Sequence, residues 1–305
     1  MNLPTPHLEK LTAVLNNDKL PSADKAIINK AINRYQAWIA ALRTMTGANL
    51  EQVVSHMVAL LNDYKLFVDV DVIFDREDDF LYRQKGQTKL DNSIIEEFLP
   101  HLVLKCLLQE KHGADIIVGP TTAFSAVYFA SSLDAPAPGG GLTVRTKDQD
   151  FAIAKRVYIK ASHDPEYREF ASKAVDIAYV VAECKTNLDK TMFQEAVATA
   201  HDVKAAVTGA KYYLLCEWLD MTPQSTAATD IDEVIILRKA KRLSSNVRGA
   251  FGKYAGRQSG RAGFVKFLQG HPLRPEMFLR FIDHIARLMQ AEEPHEKDVL
   301  ENGFF

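Results

Sequence analysis

The sequence predicts an α/β (α+β) protein, with a mixed central sheet flanked by helices and a helical region at the N-terminus. Three observations predict it. The first 63 of the 305 residues carry apolar side chains at helical spacing. From residue 93 onward the patterns run in the order helix, strands, helix, strand, as in a sheet covered by helices. Apolar residues make up 47% and charged residues 25%, a profile able to bury a large core.

Ser22 or Asp24 is placed to cap a helix whose stripe is Ile27, Ile28, Ala31, Ile32, Tyr35, Ile39 and Leu42. Asn49 opens another, with Val53, Val54, Met57, Leu60 and Leu61 on one side. Residues 66–74 then alternate apolar and acidic (Val68, Asp69, Val70, Asp71, Val72), the period of a half-exposed strand. The polar stretch 76–92 reads as a loop or surface strand. Ser93-Ile94-Ile95-Glu96 has the form of a capping box and opens a helix running to Gly113. Apolar runs at 116–119 and 123–130 precede a turn-rich loop at 134–141. Residues 151–161 read as a strand, 165–173 as a short polar helix and 177–185 as the best-defined strand. Asn187 is placed to cap a helix with Phe193, Ala196, Val197, Ala200 and Val203 on its stripe, and strands are expected at 211–218 and 234–237. Three regions result: a mainly helical 1–90, a core at 91–240, and a basic segment with a last helix at 241–305. In that last helix Phe278, Phe281, Ile282 and Ile285 share a face, expected to pack internally.

Several function classes drop out early. The net charge is −2, so nucleic-acid binding requires charge segregated along the chain. Cys106, Cys184 and Cys216 sit in apolar runs without CxxC spacing, which excludes a disulfide framework or zinc cluster and fits a reducing compartment. The first residues do not read as a signal peptide, and no run of about 18 apolar residues occurs. A cytoplasmic protein without a membrane partner is expected. Gly139-Gly140-Gly141 lacks the GK[ST] ending of a phosphate loop.

Chemistry enters at Glu183-Cys184-Lys185, where an acid and a base appear abruptly at the end of an apolar strand. Period-two geometry puts Glu183 and Lys185 on one face about 7 Å apart, with Cys184 facing away. Alone, such a tripeptide is usually a solvated strand end. A second carboxylate changes that: Asp150 opens the preceding strand, and antiparallel pairing would bring it beside Glu183 and Lys185. Asp176 lies seven residues from Glu183, roughly 23 Å along the strand. Asp148 shares the Asp150 loop and competes with it as the first metal ligand. Two carboxylates and the Cys184 backbone carbonyl form a hard oxygen site suited to Mg2+. Such an ion polarises a phosphate and acidifies bound water, while Lys185 orients the nucleophile or neutralises transition-state charge.

That arrangement, over about residues 93–237, resembles the PD-(D/E)xK nuclease core, with Asp150, Glu183 and Lys185 on the motif positions and Gln149 where the motif name has Pro. Some members add a glutamate from the first core helix, and residues 92–99 look like that helix in several restriction enzymes. Because Glu96 has a role as the capping acid, Glu97 is the freer candidate, and Gln194 could support metal or phosphate. Residues 185–195 (KTNLDKTMFQE) are similar to the Bpu-type, BbvCI-like restriction endonucleases. The resemblance implies a type II restriction enzyme with a restriction-endonuclease-like core, cutting a short asymmetric site in double-stranded DNA and working with a second nuclease subunit, identical or different.

A basic segment follows. From Arg238 to Arg274 there are ten Lys and Arg and no Asp or Glu. Arg238, Lys241, Arg242, Arg248, Lys253, Arg257, Arg261 and Lys266 are the expected phosphate contacts. The competing readings are a repair or recombination nuclease on the same core, and a non-catalytic DNA-binding protein.

Overall fold

The structure is a computed structural model and describes residues 3–108 and 116–290, together with Lys297, Leu300, Glu301 and Gly303. The apolar stripes of the N-terminal third form three helices: α1 (Pro6–Leu15), α2 (Lys25–Thr44) and α3 (Leu50–Phe67). Asn49 caps α3 by accepting the Gln52 amide at 2.9 Å, whereas Asp24 precedes α2 with no side-chain cap bond.

The strand expected at 66–74 does not exist. Val68–Phe74 continues α3 as a π-helical segment, widened so that the Asp75 amide reaches the Val70 carbonyl at 2.8 Å. Val68, Val70, Val72, Ile73 and Phe74 are all buried there, so the alternation does not mark a wet and a dry face. Asp69 is held inside by Lys65 one turn earlier, at 2.8 Å. The stretch 76–92 is likewise neither loop nor strand. It contains α4 (Phe80–Thr88), anchored by buried Leu81 and by Arg257 on Asp79 at 2.9 Å.

Helix α5 (Ser93–Cys106) is buried at every residue from Ser93 to Val103. The capping box does not form: the Ser93 hydroxyl donates back to the Lys89 carbonyl at 2.7 Å, and Glu96 turns elsewhere. The expected helix end at Gly113 lies outside the described residues.

The sheet has the order β1 (Ile116–Phe129), β2 (Leu142–Ala161), β3 (Ala171–Leu188), β4 (Lys211–Leu219), β5 (Glu233–Ile236). The first three strands pair antiparallel. β3, β4 and β5 pair parallel, β3 and β4 being joined across α6 (Lys190–Ala206). The runs at 116–119 and 123–130 are thus one strand. No helix forms at 165–173, because Asp164 accepts the amides of Glu166 and Arg168 and closes a turn before β3. Asp189, not Asn187, caps α6 by accepting the Met192 amide at 2.9 Å; Asn187 is still in β3.

One sheet face (Phe151, Val180, Ala182, Cys184, Tyr213, Leu215) packs on α5 and on α9 (Pro275–Gln290). The other (Ala152, Ala154, Val181, Leu214, Cys216) packs on Phe193, Ala196, Ala200 and Val203 of α6. Phe278, Phe281, Ile282 and Ile285 of α9 are fully buried in the first of these layers. Between β5 and α9 lie α7 (Ser245–Ala250) and α8 (Tyr254–Gly270), the latter packing Phe264, Phe267 and Leu268 against Val70 and Trp218. The result is the mixed sheet with flanking helices and helical N-terminal region that the patterns predict.

Candidate active site

The register of β2 on β3 builds the site. Phe151 pairs with Ala182, which sets Asp150 beside Glu183. Between Gly119–Ala152 and Thr121–Gln149, β1 advances two residues while β2 advances three, so β2 carries a bulge at residues 150–151. Bulges of this kind re-aim a side chain. Here Asp150 Oδ2 accepts the backbone amide of Cys184 at 3.0 Å. Asp148 is exposed and accepts the Thr122 hydroxyl at 2.7 Å on the far side of the bulge.

Glu183 and Lys185 lie on the same face of β3, their side chains in contact at 2.6 Å between Lys185 Nζ and Glu183 Oε1. The Tyr212 hydroxyl, from the neighbouring parallel strand, donates to Glu183 Oε2. Cys184 faces the opposite core and is buried; burial pushes its thiol far above the ordinary range, so it is no nucleophile.

Three further groups complete the surroundings. Asn92, at the start of α5, donates through Nδ2 to the Cys184 carbonyl and to Glu96 Oε1, both at 3.0 Å, and its own Oδ1 is buried without a partner. Lys89 places Nζ 3.5 Å from Asp150 Oδ1 and 3.7 Å from Glu96 Oε1. Burial and the charge of Asp150 push Glu96 up to about 7, against the pull of Lys89. Burial works against the charge on Lys185, yet the hydrogen bond and charge of Glu183, with Asp150, raise its pKa above the usual lysine value. Lys89 is raised in the same way, burial being outweighed by Asp150 and Glu96. At neutral pH both lysines are firmly cationic.

The site opens into a cleft of about 560 Å³ that runs from Asp150, Glu183 and Lys185 past Arg242 and Arg248 to an aromatic end at Phe251, Phe264 and Phe267. Arg242 and Arg248 share Asp220 at 3.0 and 3.7 Å and are partly exposed. Lys241, Lys253 and Lys266 are exposed.

Other expected site residues are placed elsewhere. Glu97 is fully buried among the N-terminal helices, accepting the His7 amide at 2.8 Å and the Tyr35 hydroxyl, and it does not reach the cleft. Glu96 of α5 is buried too, but it meets the cleft through Lys89 and Asn92, both of which line it. Helical phase explains the exchange, since adjacent residues point about 100° apart and the missing capping box frees Glu96. Gln194 is exposed on α6 and does not line the cleft. Arg238 is buried against Glu217 (2.8 Å) and Asp69 (3.8 Å), and Arg257 is buried against the carbonyls of Phe74, Phe251 and Arg76. Neither faces solvent, so neither contacts a phosphate on this surface. Arg261 is half-exposed but bound to Asp75 at 2.7 Å. Acids far away in sequence neutralise much of the segment that lacks acids of its own. Lys89 and Tyr212 carried no signal in the sequence, because nothing local links them to the ExK strand, and Asn92 entered only as the first residue of the 92–99 stretch.

Asp150, Glu183 and the Cys184 carbonyl are hard oxygen donors, and that carbonyl retains a lone pair beside the Asn92 bond. Among the described residues no three His, Cys, Asp or Glu side chains converge as a closed metal cage. Two carboxylates and one carbonyl suit a hard divalent cation whose remaining positions are filled by water.

A family model described as Bpu10I restriction endonuclease matches residues 87–305. A solved structure of the native BbvCI A2B2 tetramer is similar with a TM-score of 0.60 and 18% identity, over 96% of this chain and 100% of that one; at this identity the likeness shows the fold. No curated protein sequence matches the chain.

Proposed function

The chain belongs to the Bpu10I restriction endonuclease family, and from that membership we propose that Asp150, Glu183 and Lys185 carry the phosphodiester hydrolysis of a type II site-specific deoxyribonuclease. The observation that supports these roles above all is the bulge in β2, which turns Asp150 onto Cys184 beside Glu183 and Lys185. Enzymes of this kind use a divalent metal, which we assign as Mg2+, held by Asp150, Glu183 and the Cys184 carbonyl. When bound, the ion polarises the phosphate and lowers the pKa of a coordinated water.

The protein's own groups do the rest. Lys185, kept cationic by Glu183, stands where it can orient the attacking water and offset charge on the phosphorane oxygens. Tyr212 holds Glu183 from the other side, fixing the carboxylate. In the reaction a water oxygen bonds to phosphorus, one P–O ester bond breaks, and the departing alkoxide takes a proton. Arg242 and Arg248 on the cleft wall, with the exposed Lys241, Lys253 and Lys266, supply backbone contacts to double-stranded DNA. A second nuclease subunit, identical or different, cuts the other strand. Among the described residues no helix is long and apolar enough to cross a membrane.

The test is digestion of a plasmid of known sequence with Mg2+, alone and with a partner subunit, followed by end-mapping. Discrete fragments support site-specific cleavage; a smear or branch-dependent cutting points instead to a repair nuclease. A purified Glu183→Ala protein that cut at the wild-type rate would overturn the catalytic assignment.

A further inference from the structure

Lys89 belongs to neither the ExK strand nor the bulged strand, yet it reaches the centre of the site. It ends α4 in a left-handed backbone conformation, φ 50°, which costs a residue with a β-carbon on the order of 1 kcal/mol. Two hydrogen bonds follow it into α5, from the Ser93 amide and the Ser93 hydroxyl to the Lys89 carbonyl, at 3.0 and 2.7 Å. This local frame fixes the origin of the side chain. Its ammonium then lies between Asp150 of β2 and Glu96 of α5, at 3.5 and 3.7 Å; the side chain is 48% exposed and lines the cleft.

Two carboxylates from separate elements thus converge on one cation. Without it they would repel each other, and like charges that close do not both stay ionised without compensation. Two carboxylates sharing one cation are also what a second divalent ion beside the first would require in a paired-metal hydrolase, and here a lysine ammonium stands between them. We propose that Lys89 is a built-in cation at that second position, so that this active site works with a single divalent ion. Resting on the catalytic reading above, this makes Lys89 a positioning residue: it neutralises Asp150 and Glu96 and keeps Asp150 aimed at the first ion. Because Lys89 lines the cleft, its ammonium would also face a phosphate bound there.

The test counts metal ions. A duplex carrying the mapped cleavage site, with a phosphorothioate at the scissile position, is mixed with the full-length protein, and Mn2+ binding is read by EPR of the free ion. The wild type is expected to bind one Mn2+ per chain, Lys89→Ala and Lys89→Gln two, and Lys89→Arg one. In parallel, the logarithmic slope of cleavage rate on metal concentration should rise from about one to about two in Lys89→Ala. A wild-type count other than one overturns the proposal, as does a count that stays at one in both neutral variants while their melting temperatures match the wild type. Failure of the underlying reading looks different, because Glu183→Ala would then keep both the wild-type Mn2+ count and the cleavage rate.

Discussion

Asp150 accepts the backbone amide of Cys184 at 3.0 Å, across a strand pair in which these residues are 34 positions apart in sequence. The bond needs the extra residue that β2 carries at 150–151, so strand register, not side-chain chemistry, decides which aspartate joins the ExK tripeptide.

Exchanging the two aspartates should therefore be asymmetric. Asp150→Asn, like Glu183→Gln or Lys185→Met, is expected to lower cleavage by about a thousandfold or more, near 4 kcal/mol of transition-state stabilisation, with DNA binding retained. Asp148→Ala should stay within about threefold of wild type. Single-turnover cleavage with a parallel gel-shift measurement checks both, and equal losses at 148 and 150 would refute the register argument.

Neighbouring glutamates of α5 should separate stability from activity. Glu97→Gln turns one of its two buried acceptor oxygens into an NH2 donor, so either the His7 amide or the Tyr35 hydroxyl loses its acceptor, and it is expected to cost about 1–3 kcal/mol. Glu96→Gln should leave thermal unfolding nearly unchanged and reduce cleavage. Melting curves set beside cleavage rates read the two effects independently.

His7 gives a pH dependence of definite sign. Burial, with the charge of Lys65, lowers its pKa from 6.5 to about 3, while its ring nitrogens bond Ser93 and Tyr64. A depressed folded-state value means stability that is present above pH 6.5 and lost as pH falls toward 3. The stability difference between wild type and His7→Gln should shrink by about 2–3 kcal/mol between pH 7.5 and 4.5. Denaturant melts across that range provide the measurement; a constant difference would contradict the assignment. Glu97, pushed up to about 7 by burial, has the opposite sign, losing stability as pH rises through 7.

The basic segment should divide into two classes. Arg238→Ala leaves two buried carboxylates, Glu217 and Asp69, sharing Lys65 as their remaining cation and is expected to destabilise by about 3–5 kcal/mol. Arg242→Ala, or Lys241→Ala, should melt near wild type but weaken DNA binding and lower the salt slope by about one per lost contact. Binding titrations at several salt concentrations, with melting curves, distinguish the classes.

Local pattern by itself determined the mixed architecture, the ExK strand, the pairing that brings Asp150 to it, and the buried stripe of α9. Each is a statement about residues near in sequence or about one strand pairing with the next, where periodicity and short connections carry the information. Tertiary structure alone decided that residues 66–74 are helical, that Glu96 and not Glu97 meets the Lys89 and Asn92 side chains beside the site, that Arg238 and Arg257 are structural ions, and that Lys89 stands between Asp150 and Glu96. The physical reason is common to all four. Each outcome depends on a partner far along the chain, and the sign or face of an isolated residue does not reveal whether water or a distant carboxylate will meet it.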